Sequence, residues 1–103
     1  MSNLSLIKIA NIVFETEKKV LTQESFSPLI RNVNRMKAAI EEGGLLVINP
    51  LGEAFLETRT DIEATLINPT SEDQKICDVI KPIIYEIQQG KPVLVQKGIV
   101  IVE

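Results

Sequence analysis

The chain has no histidine and no tryptophan, a single cysteine, three phenylalanines and one tyrosine among 103 residues. Without histidine it lacks the commonest general base, the usual activator of a serine or cysteine nucleophile, and the commonest zinc ligand. A catalytic triad in its usual form and a Cys/His zinc site are both excluded. One cysteine, Cys77, cannot form an internal disulfide, which fits a reducing compartment, and cytoplasm is the expected location. No apolar run approaches the ~18 residues of a membrane span, and the N-terminus has no charged segment leading into a long apolar one. The expectation is a chain neither embedded nor exported. No phosphate-cradling loop stands out either, because Gly43 and Gly44 lead into a strand where such a loop needs a lysine and then a helix.

Charge excludes a further class. Eleven Lys and Arg stand against fourteen Asp and Glu, for a net charge of −3, and only Lys18 and Lys19 are adjacent basic residues. Scattered cations and so few aromatics leave neither a phosphate-binding patch nor a stacking platform, so nucleic acid is not the expected ligand. Residues 45–103 hold five basic and nine acidic side chains, so the acidic half is the second one and its partner surface is expected to be basic.

What is present is apolar enough to fold: 45% hydrophobic against 24% charged residues. At this length a monomer buries only ~60–65% of its unfolded surface, so a second copy is expected. From Leu6 to Leu21 the residues Leu6, Ile9, Ala10, Val13, Phe14, Val20 and Leu21 recur at helical spacing, with Asn3 or Ser5 as candidate caps. The β-branched stretch from Ile7 to Val13 leaves a strand as the alternative. Ser27 before Pro28 reads as the start of a second helix, Pro28 to Glu42, stopped by Gly43 and Gly44. The short linker makes an antiparallel hairpin. Leu29, Val33, Met36 and Ile40, with Ala39, form its stripe, which is expected to build a four-helix bundle with the same hairpin of a second protomer.

After Gly44 the texture changes to short β-branched runs between turns. Strands are expected at 45–49, 60–68, 75–81, 83–88 and 93–102, with turns at 68–71 and 89–92. Gly98 interrupts the last, as a bulge or a close backbone approach does, and Pro82 marks a kink or edge. Ile62, Ala64 and Leu66 alternate inward against Asp61, Glu63 and Thr65 outward. The fold class is therefore α+β, a helical dimerisation hairpin over 1–44 and a small, mostly antiparallel β-domain over 45–103. Glu53, Glu57, Asp61 and Glu63 lie close in sequence and read either as a solvated face or as a carboxylate site for catalysis or Mg²⁺.

Residues 44–55, G-L-L-V-I-N-P-L-G-E-A-F, follow a helix ending in an acidic pair and two glycines. This resembles the lead-in to the β-domain of the GrpE-type nucleotide exchange factors, in which a short strand is followed by a P-x-G-x-x-F-like turn, here Pro50, Gly52 and Phe55. Glu63-Ala64 stands at the family's H-E-A element, with Ile62 in place of the histidine. Val79-Ile80-Lys81-Pro82 and Tyr85 are similar to its E-V-L-x-x-G-Y, and Val93 to Val102 to its final strand. The resemblance covers roughly residues 40–103. The family's long N-terminal helix has no counterpart within residues 1–103, and Gln96 stands where the family carries an arginine.

The resemblance implies a non-enzymatic homodimer whose β-domain binds the ATPase domain of a DnaK-type chaperone and holds its cleft open so that ADP leaves faster. Pro50, Gly52, Glu53, Phe55, Lys81, Pro82 and Lys97 are its candidate partner contacts. It implies no catalytic residue, metal ligand or cofactor. Beside that reading stands a plainer one, in which Phe55 is a core anchor, Pro50 and Gly52 shape a turn, and Glu53, Lys81 and Lys97 are solvated charges. The alternative function is a dimeric scaffold that binds another protein.

Overall fold

The computed structural model describes residues 4–70 and 72–103. Helix α1 runs Leu4–Thr22, a 3-10 segment follows over Glu24–Leu29, and helix α2 covers Ile30–Glu42. Six strands complete the chain: β1 Leu45–Ile48, β2 Ile62–Leu66, β3 Ile76–Lys81, β4 Ile83–Gln88, β5 Lys91–Gln96 and β6 Gly98–Val102. The α+β class follows directly. Among the described residues, no helix is long and apolar enough to cross a membrane.

The periodic stretch near the N-terminus is a helix, settling the choice against a strand. Ser5 lies inside α1 and does not cap it, while Asn3 lies outside the described residues. The second helix begins later than its proline suggests. Ser27 and Pro28 sit within the 3-10 segment, and the Ser27 carbonyl accepts from the Ile30 N–H with no side-chain cap at the start of α2. The chain is already coiled at Glu24, so the serine meets no unsatisfied helical N–H to bind. At the other end Gly44 takes φ +95, which stops α2 and turns the chain into β1. An added Cβ on Gly43 would meet Leu6, and Lys37 pairs with Glu17, so the helices run antiparallel.

The sheet is built on one long bent hairpin. β4 and β5 pair from Gln88↔Lys91 inward to Ile84↔Gln96, and β3 and β6 continue the antiparallel ladder from Lys81↔Ile99 to Ile76↔Val102. At Pro82 on one arm and Lys97 on the other, the ladder breaks and changes direction. The outer half gains β1 alongside β4, and the inner half gains β2 alongside β6, giving sheets of order β1-β4-β5 and β2-β6-β3. β2 runs parallel to β6, so the second sheet is mixed.

The expected last strand, 93–102, is thus divided between two sheets, and close approach is the reason for its glycine. A Cβ on Gly98 would lie 2.8 Å from Ile83 Cγ1 and 3.3 Å from Ile62 Cγ2. Beside the corner, the Gln96 amide donates to the Pro82 carbonyl at 2.9 Å. Among the expected inward residues of β2, Ile62 is buried while Ala64 and Leu66 are half-buried, and Glu63 and Thr65 face solvent.

Two cores result, and neither respects a boundary at residue 44. Ala10, Val13, Val20, Val33 and Ile40 of the helices pack with Leu45 and Ile84. Phe14 of α1 packs with Ile62, Ile76, Val79, Ile83, Val100 and Val102. Neighbouring strand residues point to opposite faces, so Ile83 and Ile84 enter different cores. Each is almost wholly buried, worth roughly 1.5–3 kcal/mol.

Two stability changes test this geometry. Gly98→Ala should destabilise by about 1–3 kcal/mol in urea denaturation, because the buried Ile83 cannot retreat from the new methyl group. The turn joining β4 to β5 has Gln89 at φ +52 and Gly90 at φ +77, a pair of left-handed residues suited to Asn-Gly or Gly-Gly. Gln89→Gly should raise stability by up to ~1 kcal/mol, read as a higher melting temperature.

Candidate functional site

The Pro50–Phe55 turn is stitched to the start of β3. Asn49 accepts the Leu51 N–H through its side chain at 3.1 Å, and the Glu53 N–H donates to the Pro50 carbonyl at 3.1 Å. Gly52, at φ +85, donates its N–H to the Ile76 carbonyl at 2.9 Å. Glu53 accepts from the Ile76 N–H at 2.9 Å through its own carbonyl, and the Phe55 N–H donates to the Gln74 carbonyl at 2.9 Å. Pro50 is buried and Phe55 is half-buried against the second core, whereas Gly52 and Glu53 are exposed. The turn therefore presents two of its four candidate contact residues to solvent.

Lys81, Pro82 and Lys97 lie at the hairpin corner. β3 separates them from the turn by its whole length, roughly 15 Å at ~3.3 Å per residue. Pro82 is buried; Lys81 and Lys97 are exposed, and neither forms an ion pair among the described residues. The seven candidate contacts are accordingly two groups at opposite ends of one sheet. A partner that touches both must span that length.

The carboxylates near the turn are organised by one cation. Arg59 donates through Nε and Nη2 to the two oxygens of Asp61 at 3.0 and 2.9 Å, and through Nη1 to Glu53 at 3.1 Å. The hydrogen bonds from Arg59 hold the Asp61 carboxyl below its usual range, against a smaller opposing effect of burial. Asp61, in turn, holds the guanidinium above its ordinary value. Glu63 is exposed, and among the described residues no three His, Cys, Asp or Glu side chains are placed to hold a metal ion.

The helical stripe divides. Val33 and Ile40 turn inward and are spent on the chain's own first core, whereas Leu29 and Met36 face outward at 45% and 42% exposure. Only half of the expected bundle surface is open to a second copy.

Two features were not anticipated from the sequence. The Asn11 and Gln96 side-chain amides donate to each other at 2.8 and 2.9 Å, tying α1 to the corner. Both amide atoms of Gln96 are thereby engaged within the chain. Its polar side chain after Val93, Leu94 and Val95 was the only sequence sign of this. The second is a groove of about 230 Å³ along β1, lined by Ala10, Phe14, Ile40 and Val47 among others, with the Glu17–Lys37 ion pair at 2.8 Å in its wall.

The chain matches no protein-family model, no curated protein and no solved structure.

The Arg59 cluster makes a pH prediction. A carboxyl whose pKa is lowered by folding adds stability above its unfolded value, near 3.9, and that stability is lost as pH falls through the folded value. Asp61→Asn should be less stable than the wild type at pH 7 in urea denaturation. It should also show a smaller loss between pH 5 and pH 2, so that the two curves converge in acid.

Proposed function

We propose that the protein acts by binding another protein, as a GrpE-like exchange or adaptor factor for the ATPase domain of a DnaK-type chaperone, with no covalent chemistry of its own. The observation that carries this reading is the order of parts. A helical hairpin ends in Gly43 and Gly44, passes directly into β1, and leads to a Pro50–Phe55 turn fastened to the sheet by backbone hydrogen bonds. That is the order the resemblance implies for such a factor. The exposed Gly52, Glu53, Lys81 and Lys97 are the contacts available to the ATPase domain.

In this reading the factor is a homodimer, and each copy offers a β-domain that binds the open form of the ATPase domain better than the closed one. Differential affinity alone shifts that equilibrium. The internal engagement of Gln96 favours the second reading, a scaffold that binds a different protein, because the polar position of the last strand is occupied by Asn11 and Pro82.

Release of a fluorescent ADP analogue from a DnaK-type ATPase domain of the same cell separates the two. The exchange factor should speed release by about tenfold or more, the effect of ~1.4 kcal/mol of differential binding. The combined variant Lys81→Glu and Lys97→Glu should lose the effect while keeping its circular dichroism. If the wild type leaves the release rate unchanged with every such ATPase domain of that cell, the exchange reading fails and the scaffold reading stands.

A further inference from the structure

The first sheet has one face that carries no charge and is only partly covered. Cross-strand partners point to the same side, so the pairs Leu46↔Tyr85, Tyr85↔Leu94 and Ile87↔Pro92 place these residues together, with Ile48 two positions along from Leu46. Ile83 shares that face and is covered by the second core, Tyr85 packs half-buried against the same core, and Ile48, Ile87, Pro92 and Leu94 lie exposed beyond it. Ile48 is 40%, Ile87 41% and Leu94 36% exposed, and Pro92 is exposed as well. The two charged residues of this sheet, Glu86 and Lys91, both lie on the opposite face, where Glu86 pairs with Leu45 and Val93, and Lys91 with Gln88. A sheet with one wet face puts its polar residues there. Here both faces are partly open, with Val47 at 38% and Val93 at 40% exposure on the charge-bearing one, and the face without charge is left as open as the other.

The molecule as a whole is too extended for a finished monomer. It exposes 7197 Å² at 11.5 kDa, where a compact monomer of that mass exposes about 5,800 Å². The radius of gyration is 14.9 Å, against about 12.8 Å for a compact domain of this length, and the extents of 41 × 41 × 18 Å describe a plate. The excess, about 1,400 Å², exceeds the ~800 Å² per partner that a stable interface needs.

We propose that this face, centred on Ile48, Ile87 and Leu94, is the interface with a second copy of the chain, two first sheets packing face to face about a two-fold axis. An isologous contact lays a patch against itself, so a like-charged patch repels its own copy and an uncharged apolar one does not. The outer hollow of α2, lined by Asn32, Arg35, Met36 and Ala39, would instead bring Arg35 near its symmetry mate. Face-to-face packing of sheets at ~10 Å supplies the missing layer to the plate. The proposal does not rest on the identity of the chaperone partner, and its test reads mass where the other reads ADP release.

Sedimentation velocity of the full chain over a wide concentration range should show a dimer. Ile87→Lys and Leu94→Lys should each weaken association by about a hundredfold or more, because the new charge is buried against its own copy. Met36→Lys on the outer face of α2 should leave the dimer intact. A wild type that stays monomeric at every concentration, as it would if the face awaits a different protein, overturns the proposal. So does a dimer that survives the sheet variants or is lost in Met36→Lys. Should the lysine variants fail to fold, Leu94→Cys in a Cys77→Ser background gives the answer by a short bismaleimide crosslinker. Covalent dimers are expected there and not for Met36→Cys in the same background; the reverse pattern, or no crosslinking at Leu94→Cys, overturns the interface.

Discussion

The structure depends on two adjacent isoleucines that must be buried on opposite sides of one strand. Ile83 is 1% exposed in the second core and Ile84 is 0% exposed in the first. For both to be covered, something must pack on each face of β4 at its root. The helices cover one side and the second sheet covers the other, which requires the long hairpin to fold over just before Ile83. Pro82, with no N–H to give to a ladder, stands at that fold, and Gly98 supplies the space opposite.

Helix α1 braces the corner so formed. Phe14 reaches the second core, the Asn11 amide binds Gln96, and Lys18 donates to the Val79 carbonyl at 2.7 Å and to Asp78 at 3.1 Å while lying 5.8 Å from the Phe14 ring. The same helix meets the first core through Ala10, Val13 and Val20. A single helix thus contacts both sheets, and movement of one relative to the other has to break apolar and polar contacts together. For a protein read as a binding factor this rigidity matters, since a surface presented at a fixed angle loses less entropy on docking. The exposed Lys81 and Lys97 sit on the braced corner itself, and Gly52 and Glu53 on a turn held by four backbone hydrogen bonds.

The carboxylate-rich loop shows why proximity in sequence is a poor guide to a site. Glu53, Glu57, Asp61 and Glu63 are close along the chain, but Arg59 binds Glu53 and Asp61, while Glu57 and Glu63 are exposed side chains. What is left open is a salt-linked loop rather than a cluster of like charges. The open apolar features of the molecule lie elsewhere, on the uncharged face of the first sheet and in the groove along β1.

Local chemistry by itself determined the helical hairpin, the stop at Gly44, most strand positions and the special status of Pro82 and Gly98, because each is written in neighbouring residues: a 3.6-residue period, a left-handed glycine, a missing N–H, a missing Cβ. Only the tertiary structure decided which face each element spends on its own core. The stripe of Val33, Met36 and Ile40 looks continuous along the chain, yet packing against α1, Leu45 and Ile84 buries the first and last and leaves Met36 outside. It likewise decided that 93–102 belongs to two sheets, that β2 joins β6 in parallel, and that Gln96 turns to Asn11, eighty-five residues away in the chain. These are long-range packing choices, settled by the shape of the whole core, and a periodicity read along one segment carries no record of what will lie across from it.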